Sequence, residues 1–253
     1  KIRFIDVRDE RTGTHMADGY ARASGKAGIV IAGQNGPGAT NLVTGVAQAK
    51  AAFSPLISIA GDISSEHKGK DSFQEIDQQL LFENITKKTF SVDKTKSIPK
   101  ILNKAFDLAL NLRQGPVHIN LPREVLSNEH NFSKFNTSEI KNFSKIDGKI
   151  LNKIFNLLAQ SNKPVIIAGG GIKNSENSSE LMEFATKLCI PVVSSAGHGD
   201  AIPYDQLLYG GQMGPRGNPI ASKLVKEADL IFALGTRLGF NSTFYSYENI
   251  NKD

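Results

Sequence analysis

The stretch "AGIVIAGQNGPGATNLVTGVAQAKAAFSPLISIAG", residues 27–61, decides the fold. Two short apolar runs, 27–33 and 55–61, flank a helical pattern rich in small residues. Between the first run and that helix lies "GQNGPG", residues 33–38, three glycines and a proline in six residues. A strand, a turn, a helix and a second strand make one βαβ unit. Because both runs are apolar throughout, they are expected to be buried strands of a parallel sheet covered on both faces. The turn is bare and stiff. Glycine lets backbone approach a neighbour closely, and Pro37 restricts the chain where the helix begins.

The same alternation extends in both directions. "IRFIDVR" (2–8) reads as a strand and "RTGTHMADGYARAS" (11–24) as a helix with Met16/Tyr20 and Ala17/Ala21 paired at i,i+4. After 61 comes a long loop, "DISSEHKGKDSFQEID" (62–77), then a helix at 98–111 and a strand "GPVHINLP" at 115–122. Residues 128–147 are polar and without period, and are expected to be a linker. The rhythm restarts with an amphipathic helix (148–161), a strand into a glycine turn "KPVIIAGGG" (163–171), a helix (178–189), a strand (190–196), a helix (221–228) and a strand (229–237). The expected organisation is α/β, two doubly wound parallel-sheet domains, at 1–127 and 148–253, the second Rossmann-like. The first residues look like a strand already under way and the last lack a terminating element, so the chain is expected to be a piece of a longer protein.

Composition narrows the function. Hydrophobic residues make up 40% of 253, enough for real cores. No apolar run reaches the roughly 18 residues of a membrane span, and no leader pattern opens the chain. The single cysteine, Cys189 in "LCIPVV", is expected to be a buried, inert thiol, and the lack of a partner fits a reducing cytoplasm. The formal charge is +5. The lysines, densest at 86–100, have no arginine cluster beside them and Trp is absent, so a solvated face is expected rather than a nucleic-acid surface.

Ligands of open parallel sheets bind outside the carboxyl ends of the strands. There the first half would deliver Asp9 and Glu10, then Gln34, Asn35 and the Gly36-Pro37-Gly38 turn, then Gly61 and Asp62, with Phe73, Gln74 and Glu75 on the following loop. The turn is not a P-loop, because no Lys-Ser or Lys-Thr follows it, nor is it GxGxxG. "GGGI" at 169–172 is a weaker dinucleotide hint. His15 and His118 have no triad partners and are expected to be packed or solvated; His198 has no metal-ligand companions.

"ERTGTHMADGYARASGKAGIVIAGQNGPGATNLVTGVAQA" resembles the N-terminal, pyrimidine-binding domain of thiamine diphosphate-dependent enzymes, in the group of acetolactate synthase and sulfoacetaldehyde acetyltransferase. The resemblance continues through "SFQEIDQQLLFENITKKTF" and "GPVHINLPREVL", and "KPVIIAGGG", "IPVVSSAGHGDAIP" and "EADLIFALGTRL" are similar to that group's central domain. It implies that Glu10 hydrogen-bonds the cofactor's pyrimidine ring. Sharing a proton with the ring nitrogen, it would shift the 4-amino group to the imine that takes the thiazolium proton. By the same resemblance Gly36, Pro37, Gly38 and Asn41 wall the pyrimidine and Gln74 lines the substrate side.

The departures are as informative. Asp9 stands where most relatives have His; on a strand, it and Glu10 would point apart. Gln34 stands where many relatives have a smaller residue. The Gly-Asp-Gly motif that holds magnesium in the family's third domain is absent, "HGDAIP" not being one, so no metal ligand is expected here and Mg2+ would be bound by another domain. FAD occupies the central domain of acetolactate synthases. The matching "GGQMGPRGNP" (210–219) and "GTR" (235–237) keep glycines but not the usual pattern, so a cofactor-free domain is the preferred reading and FAD the alternative.

The implied activity is C–C cleavage or formation at a 2-oxo acid. The alternatives are acetyl transfer from sulfoacetaldehyde to phosphate with loss of sulfite, and a non-catalytic nucleotide- or flavin-binding domain, against which Glu10 argues. The implied partners are these small substrates and further copies of the chain, as a homodimer or homotetramer with the site between subunits. Nucleic acid and membrane are not expected, and the location is expected to be cytoplasmic.

Overall fold

A computed structural model of the chain describes residues 2–111, 113–132, 146–243 and 250. It divides into two compact units, Lys1–Phe143 and Ser144–Asp253. Of the expected linker, residues 133–145 lie outside the described residues.

In the first unit Asp9 caps helix α1 (Glu10–Ser24), its carboxylate accepting from the Arg11 amide at 2.8 Å. Gly25, in the left-handed region at φ 70°, ends the helix. Strand β1 (Gly28–Ala32) leads through the glycine-proline turn into α2 (Pro37–Ala52), with Pro37 in its first turn. There follow β2 (Leu56–Asp62), α3 (Gln78–Glu83), β3 (Lys88–Ser91), α4 (Ile98–Leu110), β4 (Val117–Pro122) and α5 (Arg123–Ser127). The strands form a four-stranded sheet in the order β1-β2-β4-β3, parallel throughout. One face packs Val30, Ala32, Leu56 and Ala60 under Ala17, Leu42, Val46 and Phe82 from α1, α2 and α3. The other packs Ile57, Ile59, Val117 and Ile119 under Ala105 and Ala109 of α4.

Three expectations for this unit need correction. Residues 2–7 form no strand: they have no pairing partner, and Ile2, Phe4 and Ile5 are exposed. Strand β1 is not buried on both faces. It is the sheet edge, and Ile29 and Ile31 are 51% and 55% exposed because α4 lies over β2, β3 and β4 instead. Met16 and Tyr20 are exposed as well, whereas Ala17 and Ala21 face the core. Elements α3, β3 and α5 were not anticipated; each is six residues or fewer, too short for a period to emerge.

The second unit comprises α6 (Gly148–Gln160), β5 (Pro164–Ala168), α7 (Gly170–Asn174), α8 (Ser178–Leu188), β6 (Val192–Ser194), β7 (Tyr209–Gln212), α9 (Pro219–Glu227), β8 (Leu230–Leu234) and α10 (Phe240–Thr243). Its sheet has the order β7-β6-β5-β8, again parallel. Both units are therefore parallel α/β domains. The expected glycine turn at 169–171 instead enters the short helix α7. A methyl group on Gly171 would lie 2.7 Å from the Gly235 Cα, and one on Gly170 would meet the His198 ring at 2.7 Å. These glycines thus have an internal packing reason. Cys189 is exposed, not buried: it terminates α8 in the left-handed region at φ 53°, before the sheet is reached.

Candidate functional site

The site residues converge at the carboxyl ends of β1 and β2. Glu10 arrives there on the first residue of α1, not on a strand. Its Oε2 accepts a hydrogen bond from Asn41 Nδ2 at 3.0 Å. Asn41 sits one turn into α2, so the two helix starts face each other across this bond. The second oxygen, Oε1, lies beside Gly38, where a Cβ would stand 3.3 Å from it and 3.1 Å from the Gln34 Cβ. Asp9 does not join Glu10. It turns outward into an ion pair with Arg11 at 3.0 Å, and the Arg11 side-chain hydrogen bond, followed by the Arg11 backbone amide, holds its carboxyl below the usual range.

Gly36 stands at φ 55°, a conformation glycine adopts without strain. A Cβ here would be 2.6 Å from the carbonyl oxygen of Gln74. The loop carrying Gln74 therefore rests directly on the turn, and two side chains clip it there. Asn35 Nδ2 donates to the carbonyls of Phe73 and Gln74, both at 3.2 Å, and Gln34 Nε2 donates to Gln74 Oε1 at 2.5 Å. Gln74 itself has φ 59°. The far side of the loop is pinned by Glu75, which accepts from the amides of Gly69 at 2.6 Å and Ser72 at 3.1 Å. Those two bonds, in that order, lower its pKa.

Glu10, Gly36, Pro37, Gly38, Asn41 and Gln74 are thus brought to one edge. Gln34 and Asn35 contribute more than the sequence suggested: Asn35 braces the loop backbone, while Gln34 clamps the Gln74 amide. Among the described residues no group of three His, Cys, Asp or Glu side chains could hold a metal ion. In the second unit, a cleft of about 270 Å3 opens between Gly197, Gln212, Met213, Arg216 and Phe240, lined in part by the "GGQMGPRGNP" segment. His118 is fully buried and far from acid–base duty: burial pushes its pKa down to about 3.

Both units match family models of one family. Residues 1–81 match the thiamine pyrophosphate enzyme N-terminal TPP binding domain, and residues 151–253 match the thiamine pyrophosphate enzyme central domain. The chain belongs to the thiamine pyrophosphate enzyme family. It is similar to the probable acetolactate synthase large subunit of Methanocaldococcus jannaschii, 39% identical over 92% of this chain and 40% of that protein. It is also 39% identical to the acetolactate synthase large subunit of Buchnera aphidicola subsp. Schizaphis graminum, over 96% of this chain and 43% of that one. The sulfoacetaldehyde acetyltransferase of Alcaligenes xylosoxydans xylosoxydans is 36% identical over 94% of this chain and 39% of its own length. The chain spans about two fifths of the relatives it matches. No helix among the described residues is long and apolar enough to cross a membrane.

Proposed function

We propose that the intact protein is a thiamine diphosphate-dependent enzyme that cleaves or forms C–C bonds at a 2-oxo acid, like an acetolactate synthase. The observation that carries this reading is the Glu10 carboxylate, one oxygen occupied by Asn41 and the other open beside Gly38. The residues present suit the pyrimidine half of thiamine diphosphate: a flat ring needs the clearance Gly38 leaves, and its nitrogen needs a carboxylate acid–base partner. When bound, the cofactor supplies an acidic thiazolium carbon that becomes a carbon nucleophile. Asn41 holds Glu10 in one orientation, so that Oε1 is the atom that holds and returns the proton. Gln74, its Oε1 turned to Gln34, presents its amide N–H groups as donors to a substrate oxygen. Mg2+ and the diphosphate are assigned to a further domain, since the Gly-Asp-Gly motif is absent from this sequence. We assign the protein to the cytoplasm as a homodimer or homotetramer, and read the central domain as free of FAD.

One observation favours a second reading, acetyl transfer from sulfoacetaldehyde to phosphate. The paired amides of Gln34 and Gln74 suit a sulfonate or phosphate oxygen better than a small residue would. Two assays of the intact protein separate them. Pyruvate alone, scored for acetolactate, is expected to turn over; sulfite release and acetyl phosphate from sulfoacetaldehyde and phosphate, without acetolactate, would reverse the order. Turnover in neither would reject both substrate assignments.

A further inference from the structure

Helix α3 begins four residues after Gln74, and its first residue, Gln78, is 1% exposed. Its Nε2 donates to the carbonyl oxygen of Gly61 at 2.7 Å. That leaves Gln78 Oε1 as an acceptor, and His118 Nε2 faces it at 3.4 Å. Placing the His118 proton on Nε2 gives both ring nitrogens a partner: Nε2–H donates to Gln78 Oε1, and Nδ1 accepts at 2.9 Å from the Ser58 hydroxyl, which also lies 3.4 Å from the Val117 carbonyl oxygen. The imidazole is locked flat against Phe82, with ring centroids 3.6 Å apart and an interplanar angle of 12°. The donors run one way, from Ser58 through His118 and Gln78 to the backbone of Gly61. Asn120, two residues along β4, adds another buried amide beside the ring, and neither of its polar atoms has a hydrogen-bond partner of good geometry.

Burying this many polar side chains is costly, and an apolar core would need none of them. What distinguishes the chain is where it ends. Gly61 is packed so closely on the carbonyl of Gly33 that a Cβ would lie 2.7 Å from that oxygen. Gly33 is the first residue of the turn carrying Gln34. Gln78 is also joined to Gln74 through the three residues 75–77. One buried amide thus holds, from beneath, both segments whose side chains meet in the Gln34–Gln74 bond.

We propose that Gln78, oriented by His118, is a positioning residue that sets the Gln34–Gln74 pair against the substrate and leaves Glu10 untouched. This rests on the proposed thiamine diphosphate function. The test uses the intact protein with Gln78→Leu, which keeps the side-chain bulk but removes the amide, and with His118→Phe, which keeps the stack on Phe82 but removes the ring nitrogens. In Gln78→Leu the KM for pyruvate should rise about tenfold, the scale of a small misplacement of a binding group, with thiazolium proton exchange unchanged. The side-chain amide resonances of Gln34 and Gln74 should shift in both variants, and the wild-type His118 ring should give the 15N pattern of an Nε2–H tautomer. A lowered melting temperature with unmoved amide resonances and unchanged KM would overturn the proposal and leave a structural role only. Loss of proton exchange together with KM would overturn the separation from Glu10. Should the wild-type protein turn over neither pyruvate nor sulfoacetaldehyde, the functional reading fails, while the amide resonances still decide whether Gln78 positions the pair. If Gln78→Leu does not fold, His118→Phe alone decides, since it breaks the chain one link earlier.

Discussion

Asn41 takes one oxygen of Glu10 and leaves the other facing the space that Gly38 keeps open. An amide in place of that carboxylate cannot share a proton with a ring nitrogen. Glu10→Gln in the intact enzyme is therefore expected to lower turnover by about 10² or more, the usual scale for lost acid–base catalysis. Exchange of the thiazolium proton, followed by NMR, checks it; a wild-type exchange rate would remove Glu10 from the activating role. His118 gives a pH prediction at the same scale. Its folded pKa of about 3 lies below the unfolded value near 6.5, so folding favours the neutral ring. The contribution is complete above about pH 6.5 and is lost as the pH falls from there toward 3, because the unfolded chain gains the proton first. Urea unfolding should show a loss on the order of 3 kcal/mol from this group between pH 7 and pH 4. His118→Phe should flatten that slope; an unchanged slope would contradict the neutral, buried imidazole.

The turn between β1 and α2 is where local conformation and the site are least separable. Gly36 has a positive φ and backbone at 2.6 Å from where its Cβ would be. Gly36→Ala combines left-handed strain, about 1 kcal/mol, with a collision against the Gln74 carbonyl that the loop can relieve only by moving. The expected result is a loss of about 2 kcal/mol or more in denaturant unfolding, with a larger loss of activity than of stability. Equal stability to the wild type would show that the loop yields freely. The glycines and Pro37 were legible as a device for close approach. That Gly36 approaches the backbone of Gln74, 38 residues further on, was not, because nothing in either segment names its partner. The same limit explains β3: four residues, Lys88–Ser91, form a strand only because β4 offers an edge.

At the scale of the whole molecule, most of the charge of thiamine diphosphate is on the diphosphate, and this sequence has no motif to hold the magnesium that would neutralise it. The 253-residue chain by itself is expected to bind thiamine diphosphate and Mg2+ no more tightly than roughly the micromolar range in calorimetry. Submicromolar binding would show that the Glu10 edge suffices. Sequence alone determined two parallel α/β units, the succession of their main strands and helices along the chain and the family, because apolar runs, glycine turns and helix periods are local signals that survive in one dimension. Reading Glu10, the 36–38 turn, Asn41 and Gln74 as one group required the resemblance as well. Only the tertiary structure decided that Glu10 starts a helix, that β1 is an edge with Ile29 and Ile31 uncovered, and that Cys189 faces outward. It alone joined Ser58, His118, Gln78 and Gly61 into one line of hydrogen bonds. Burial and partnership are set by which segments become neighbours, and residues as far apart in sequence as Ser58 and His118, 60 positions, become neighbours only when the sheet assembles.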